Sequence, residues 1–351
     1  MGLKEENREN EQLSERYSRQ QLFTGIGEDG QQKLLSSHVL IIGIGALGAA
    51  NAENLARAGV GTLTLVDRDY VEMSNLQRQS LYRESDARDR LPKAVAAKER
   101  LLEVNEGVVV HAHVADVSRE ELEDLIQGVD LVIDGTDNFD TRLLINDMAQ
   151  KYQVPWLYGA CVGSYGISYT IRPRVTPCLH CLLETVPLGG ATCDTAGIIA
   201  PAVQMVVAYQ TTEAMKILVG ADDVLRKELV SFDLWKNEQT QISVDRLRRK
   251  GCLSCGSEPT FPFLTTEEQT KTAVLCGRNT VQIRPPKRGE RDFDALIEGL
   301  QKQPGYMEEN PYLISYAEDD YRLVFFRDGR VLVHGTNDVA RAKTLYHRFL
   351  G

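Results

Sequence analysis

The sequence predicts an α/β fold, a Rossmann-like mixed sheet that is parallel in its first part and antiparallel in its later part, followed by a small carboxyl-terminal α+β module. Three observations carry this. Val39 to Ile42 is a short apolar run that reads as a buried parallel strand, and Gly43, Gly45 and Gly48 follow it in GxGxxG spacing before a helix of small residues reaching about Ala58. Strands and helices alternate early in the chain, whereas later strands succeed one another through glycine-containing turns. Two CxxC pairs, Cys178/Cys181 and Cys252/Cys255, can close one metal site that staples the central excursion of the chain to the end of the domain.

Composition narrows the class. A chain of 351 residues can bury one large core or two smaller ones, and 42% apolar with 26% charged residues is ordinary for a soluble globular protein. A net charge of −10 argues against a general nucleic-acid or anionic-membrane surface, while leaving room for a local basic site. The stretch from Met1 to Glu15 is acidic and polar without an apolar core, so it is expected to be disordered and not a signal peptide. Gly197 to Gly220 is the most apolar long segment, yet it carries Gln204, Gln210, Glu213 and Lys216, which suits a buried helix better than a membrane span. Seven cysteines, an odd number without an export signal, point to a reducing compartment, hence the cytoplasm.

In chain order, Arg16 to Gln20 opens a short helical segment before the first strand. Gly59 and Gly61 stop the first helix, and Thr62 to Val66 forms a second strand ending on Asp67. The glycine loop lets backbone approach a phosphate at a helix N-terminus, and an acid at the end of the second strand accepts hydrogen bonds from ribose hydroxyls. A nucleotide on the carboxyl edge of the sheet follows. Asn75, Leu76, Gln77, Arg78 and Gln79 come next; Arg78 is a permanent cation and Asn75 a neutral donor, both suited to oxyanions near the loop. Pro92 fits the first turn of a helix from about Ala94 to Glu103, which puts Lys93 near a helix N-terminus. A cation there opposes the helix dipole, so a shared anion explains it better than helix stability.

Val108 to Val114 is a strand with His111 and His113 on one face, read as solvated rather than metal-binding. Helix Arg119 to Ile126 leads to strand Val129 to Ile133 and then Asp134-Gly135-Thr136-Asp137-Asn138, another strand end on the same edge. Asp137 in such a turn can cap the helix that starts near Phe139. Helix Thr141 to Lys151, strands Trp156 to Cys161 and Tyr165 to Ile171, and a hairpin of Glu228 to Trp235 with Thr240 to Val244 complete the domain. Beyond Gly256, a linker containing TTEEQTK precedes strand Val281 to Arg284, helix Phe293 to Leu300, strands Leu313 to Tyr316, Arg322 to Phe326 and Arg330 to His334, with a tight turn at Asp328-Gly329, and helix Val339 to Phe349. The expected divisions are residues 1–15, 16–256 and 257–351.

Four thiolates from Cys178, Cys181, Cys252 and Cys255 make a closed tetrahedral zinc site, structural rather than catalytic. Disulfides do not suit a reducing compartment, and a redox pair needs only one CxxC. Cys193, in the loop PLGGATCDTAG, stands before the apolar helix, whose N-terminus lowers a thiol pKa, but beside Asp194, which raises it. It reads equally as a nucleophile or an idle thiol. Cys161 is a small core residue.

The ordered set GxGxxG, Asp67, NLxRQ, Lys93 and TDN resembles the adenylating enzymes that activate ubiquitin-like proteins, in particular the molybdopterin-synthase and thiazole-biosynthesis adenylyltransferases of the MoeB/ThiF family. The resemblance spans Arg16 to Gly256. It implies ATP-dependent adenylation of the C-terminal glycine carboxylate of a ubiquitin-like sulfur carrier ending in Gly-Gly, in molybdenum cofactor or thiamine biosynthesis, with release of pyrophosphate. It implies ATP and Mg2+ as cofactors beside the zinc, and a homodimer in which Arg19 reaches the partner's ATP. Arg78, Lys93 and Arg19 would neutralise phosphate charge, Asp137 would hold magnesium, Asp67 the ribose and Asn75 a phosphate or ribose oxygen. A cysteine at the place of Cys193 is a nucleophile in some members and dispensable in others. Many members carry a rhodanese domain at the carboxyl end, but here Cys276 precedes the first expected strand of a shorter unit, which is assigned docking or dimer support and no sulfur transfer. No GxxxxGK[ST] motif is present, so a P-loop is excluded. An NAD-dependent oxidoreductase shares the glycine loop and Asp67 but leaves Arg78, Lys93 and Asp137 unexplained; a non-catalytic adaptor of the same fold is expected to have lost them.

Overall fold

Parallel strands covered on both faces must be apolar on both, and β1 (His38–Ile42) shows why its run is continuous: Val39 and Ile41 enter one core and Leu40 and Ile42 the other. The structure, a computed structural model, describes residues 15–183, 196–265, 271–275, 279–285 and 291–350. Expectations for residues 1–14, Cys193, most of TTEEQTK and Cys276 fall outside these; Glu15, placed in the disordered stretch, is helical. The described residues form two compact units, one within residues 15–183 and 198–265 and the other of residues 196–197 and those beyond Thr265.

The first unit is an eight-stranded sheet. After β1 come β2 (Thr62–Asp67), β3 (Val109–Val114), β4 (Leu131–Asp134), β5 (Trp156–Val162), β6 (Tyr165–Ile171), β7 (Leu229–Asp233) and β8 (Glu238–Ile242). Their spatial order is β3-β2-β1-β4-β5-β6-β7-β8. Every pair from β3 to β5 is parallel and every pair from β5 to β8 antiparallel, so the change of strand direction falls where the alternation with helices ceases. One core lies between the sheet and helices Gly27–Ser36, Ala46–Ala58, Lys93–Val104 and Ala200–Val219. The other lies under helices Arg119–Leu125 and Phe139–Tyr152 and takes in Trp156, Tyr158 and Leu264. Among the described residues no helix is long and apolar enough to cross a membrane.

The second unit is an antiparallel six-stranded sheet of β9 (Lys271–Leu275), β10 (Thr280–Arg284), β11 (Tyr306–Glu309), β12 (Leu313–Glu318), β13 (Tyr321–Phe326) and β14 (Val331–His334), in the order β11-β12-β13-β14-β10-β9. Helices Phe293–Leu300 and Val339–Leu350 share a core with one sheet face, through Phe293, Leu296, Ala342 and Leu345 against Val281, Ile283, Tyr316, Phe325 and Val333. The turn between β13 and β14 contains Asp328 and Gly329, the latter at φ 88°. Two strands went unforeseen. β9 begins on the last residue of the expected linker, and β11 is an edge strand whose Tyr306 and glutamates give little apolar signal.

Candidate active site

The chain places β2 and β3 on one side of β1 and then β4 and β5 on the other, so the carboxyl ends of β1 and β4 flank the point where strand order reverses. Ligands of open α/β sheets bind in that crevice. Two turns meet there backbone to backbone. Gly135 N donates to Ile42 O at 2.8 Å. A Cβ on Gly48 would stand 1.8 Å from Gly43 O, and one on Gly135 2.2 Å from the same oxygen. Gly45 is different. A Cβ there would meet only Gln79 Nε2, at 3.8 Å. It is also the N-cap of helix Ala46–Ala58 and offers no side-chain acceptor to the first turn, which suits an anion at that end.

Asp67 locks this loop to β2. Its Oδ2 accepts from Ile44 N at 2.6 Å and its Oδ1 from Asp69 N at 2.7 Å. Burial pushes the Asp67 carboxyl above the usual carboxylate range, against the opposing pull of the Lys93 ammonium. Lys93 is the first residue of helix Lys93–Val104, after Pro92 as N-cap. Its Nζ lies 3.4 Å from Asp69 Oδ2 with its side chain 4% exposed, so the anion it meets within the chain is Asp69. The Tyr82 hydroxyl donates to Ile44 O at 2.5 Å and joins the Lys93 backbone to the glycine loop through a second contact to Lys93 O at 3.3 Å.

The polar run after Asp67 is a capped turn. Asn75 is 2% exposed, and its Oδ1 accepts from Glu72 N at 3.2 Å, so much of its capacity serves the turn Met73–Asn75. Arg78 donates from Nη1 to Ser74 O at 2.9 Å and remains partly exposed. Arg19 is exposed on the helix of residues 15–21, and among the described residues no hydrogen bond or ion pair joins it to this cluster.

Asn138 caps helix Phe139–Tyr152, its Oδ1 accepting from Asp140 N at 2.8 Å and Thr141 N at 3.3 Å. Asp137 itself is exposed, and the helix end is capped by its neighbour. Sequence reasoning gave no part to Arg68, Asp69, Tyr82 or Arg142. Burial works against the charge of Arg68, but Asp69, Asp116, Asp137 and Asp67 hold its pKa above the ordinary value, so it sits in the field of the same carboxylates. Arg68 and Asp69 directly follow Asp67, and that adjacency was the available signal.

The four CxxC cysteines are brought together as expected. Their sulfurs lie within 4.8 Å of one another, Cys178 to Cys252 at 3.7 Å and Cys181 to Cys255 at 3.6 Å. A disulfide needs about 2.05 Å, whereas a tetrahedron with Zn–S of about 2.3 Å puts sulfurs roughly 3.8 Å apart. The cluster can hold zinc. Hydrogen bonds among the four sulfurs divide the thiols, holding Cys181 and Cys252 below the ordinary range and pushing Cys178 above it, so a metal bound by all four would displace protons as it enters. Side chains around it are also fixed: His180 Nδ1 meets Ser254 Oγ at 2.9 Å, and Asn146 Oδ1 accepts from Leu179 N at 2.8 Å. Among the described residues no other such group occurs, and His111 and His113 belong to none. Cys161 is half-buried at the edge of a core.

Residues 17–254 match the ThiF family. The chain is similar to the sulfur carrier protein ThiS adenylyltransferase of Bacillus subtilis (strain 168), 54% identical over 341 residues that cover 97% of this chain and 100% of that protein. It is similar to the molybdopterin-synthase adenylyltransferase of Escherichia coli (strain K12), 36% identical over 242 residues, 69% of this chain and 96% of that protein. Among solved structures, that of E. coli MccB with succinimide shares the fold at a TM-score of 0.60 and 21% identity, covering 69% of this chain and 74% of that one. Fold and relatives together define the class, an α/β adenylyltransferase. The chain belongs to the ThiF family.

Proposed function

We propose that this enzyme uses ATP to adenylate the C-terminal glycine carboxylate of a ubiquitin-like sulfur carrier ending in Gly-Gly, releasing pyrophosphate. The observation that carries the reading is the 54% identity to a ThiS adenylyltransferase over 97% of the chain, a match that includes the second unit. A ThiS-type carrier is therefore the first to test. The similarity to a molybdopterin-synthase adenylyltransferase makes a MoaD-type carrier the second.

The carboxylate attacks the α-phosphorus in line. No general base is needed, because the nucleophile is already ionised at neutral pH. Both reactants are anionic, so the site must neutralise charge as they meet and as pyrophosphate leaves. The loop from Gly43 to Gly48 would carry the backbone past the phosphates, Asp67 would fix the ribose, and Asn75 would bind a phosphate or ribose oxygen. Arg78 and Lys93 would balance the phosphate charge, joined by Arg19 from the second subunit of a homodimer. Asp137, exposed beside the capping Asn138, suits magnesium, which would supply further charge neutralisation at the phosphates. Zinc at Cys178, Cys181, Cys252 and Cys255 would be structural, since four thiolates leave no open position. The division proposed is an adenylating part of residues 16–256, with residues 257–351 as a docking or dimer-supporting module and the whole in the cytoplasm.

Carrier-dependent exchange of labelled pyrophosphate into ATP tests this. Exchange with a ThiS- or MoaD-type carrier is the expected result, and its loss on deleting the carrier's terminal glycine should follow. No exchange with either carrier would overturn the reading.

A further inference from the structure

The turn that carries Asp137 is held from beneath by a buried ion pair that the reaction scheme does not use. Arg142, in the first turns of helix Phe139–Tyr152, and Asp134, the last residue of β4, are 5% and 0% exposed. Arg142 Nε donates to Asp134 Oδ2 at 2.9 Å. Its Nη2 donates to Thr136 O at 2.6 Å and to Gly159 O, on β5, at 3.1 Å. The other Asp134 oxygen accepts from Thr136 N at 2.9 Å and Thr136 Oγ1 at 2.7 Å. The guanidinium lies 5.3 Å from the Phe139 ring centroid and 5.2 Å from that of Tyr158. Both ions thus close on one residue, Thr136, the neighbour of Asp137.

The clamp continues towards the glycine loop. Gln210 Nε2 donates to Asp134 O at 3.0 Å, and Gln210 Oε1 accepts from Asn51 Nδ2 at 2.8 Å. Asn51 stands on the helix that begins after Gly45. Fold stability alone could be served by an apolar pair of similar volume, since buried ion pairs are weak evidence for stability. What an apolar pair cannot do is fix three atoms of one turn residue, its O, N and Oγ1, by directional bonds.

We propose that Arg142 is a positioning residue for adenylation: through Asp134 and Thr136 it fixes the Gly135–Asn138 turn so that the Asp137 carboxylate meets the nucleotide's magnesium. This rests on the reading of Asp137 given above. A displacement of about 1 Å at a reacting centre can cost roughly 10²-fold in rate, so the effect is measurable.

The test compares Arg142→Lys, Thr136→Val and Asp137→Asn with the wild type in the full chain. Pyrophosphate exchange is followed as a function of Mg2+, with melting temperature recorded alongside. Lysine keeps the charge but cannot fork; valine keeps the size of Thr136 but loses its hydroxyl, and it serves if Arg142→Lys does not fold. The expected result is a half-saturating Mg2+ concentration raised about tenfold in Arg142→Lys and less in Thr136→Val, in the direction of Asp137→Asn. Binding of metal-free AMP should stay within about twofold. A role confined to stability would lower the melting temperature and leave the Mg2+ curve of the folded protein in place. If Asp137→Asn shifts the curve while neither other variant does, the positioning role is overturned alone. If Asp137→Asn leaves the curve unchanged, the Asp137 reading fails and this inference with it.

Discussion

Lys93 and Asp69 are joined twice, by an ion pair of 3.4 Å between Nζ and Oδ2 and by a 2.9 Å hydrogen bond from Lys93 N to Asp69 O. This answers how a lysine tolerates the first position of a helix, where the dipole disfavours a cation. The carboxylate holds it, and the ion-pair distance is longer than a close charge-assisted bond of about 2.8 Å. A lysine so held is preplaced beside the glycine loop without being fully committed.

Removing only one partner should therefore reveal two roles. Lys93→Met removes the ammonium facing the half-buried Asp69 carboxylate, which keeps the field of Arg68, and should cost up to about 3 kcal/mol of stability. The double variant Lys93→Met/Asp69→Asn should recover much of that melting loss, because the carboxylate whose compensation was reduced is gone. Exchange activity should not recover. Activity restored in the double variant would show that Lys93 serves the fold and not the phosphates.

The glycine loop allows a second separation of fold from function. Gly48→Ala puts a Cβ 1.8 Å from Gly43 O and should leave little folded protein. Gly45→Ala meets only the end of Gln79, so its melting temperature should stay within a few degrees of the wild type. On the proposed binding mode its Cβ would nonetheless enter the path of the phosphates. Calorimetric titration should then show ATP binding weakened about tenfold or more, at roughly 1.4 kcal/mol per decade. Unchanged ATP affinity in Gly45→Ala would remove the loop from the binding site.

Most of this site was legible because its determinants are local. The GxGxxG spacing, the acid ending β2 and the two CxxC turns each fix geometry within a few residues, and the structure joins them at one sheet edge and one sulfur cluster. Arg142 was not legible. Its partners Asp134, Thr136 and Gly159 are defined only once β4 and β5 pair, and an arginine in an early helical turn looks like any solvated helix charge. For Asp137 the helix cap was the local reading, and the structure gives that cap to the neighbouring Asn138, a choice that residue spacing alone does not make. The edge strand β11 escaped for the opposite reason: it is stabilised by pairing with β12 rather than by an apolar pattern of its own.

The sulfur cluster gives a third prediction. Protein prepared without chelator should contain one zinc per chain, and Cys252→Ser should lose it. Structural zinc contributes on the order of 10 kcal/mol in small zinc-finger peptides, and the effect here should be smaller because two large cores remain. The melting temperature should fall clearly, with the loss centred on the segment that Asn146 and Asp147 anchor through Leu179 N and Phe263 N. Metal analysis finding no zinc would contradict the assignment.

His38 supplies a pH dependence. Burial holds its imidazole below the ordinary histidine range, against the Asp130 carboxylate that pulls the other way, while Nε2 meets Thr64 Oγ1 at 2.8 Å. The native state therefore binds fewer protons than the unfolded chain between the lowered pKa and about 6.5. Its stabilising contribution is complete above that upper value and is lost as pH falls through the lower one. Melting curves at pH 7.5 and 5.5 should show a larger loss for the wild type than for His38→Gln. Equal losses would mean that His38 titrates alike in both states.

The last prediction concerns the chemistry. Arg78 and Asp137 come from separate turns, one after β2 and one after β4, and the strand order brings both turns to the same carboxyl edge. If they stabilise charge as the carboxylate attacks, each should matter far more to rate than to folding. By analogy with one lost oxyanion donor, Arg78→Ala or Asp137→Ala should lower kcat by roughly 10²–10³, about 2.7–4 kcal/mol. Their melting temperatures should stay near the wild type, since Arg78 gives up only a hydrogen bond to Ser74 O and Asp137 caps nothing. Cys193→Ala should leave pyrophosphate exchange near normal, because any thiol step follows adenylate formation, while still able to block later sulfur loading. The decisive pattern is a split between the charged residues and the thiol in a single exchange assay. Exchange abolished in folded Cys193→Ala but retained in Asp137→Ala would reverse these roles.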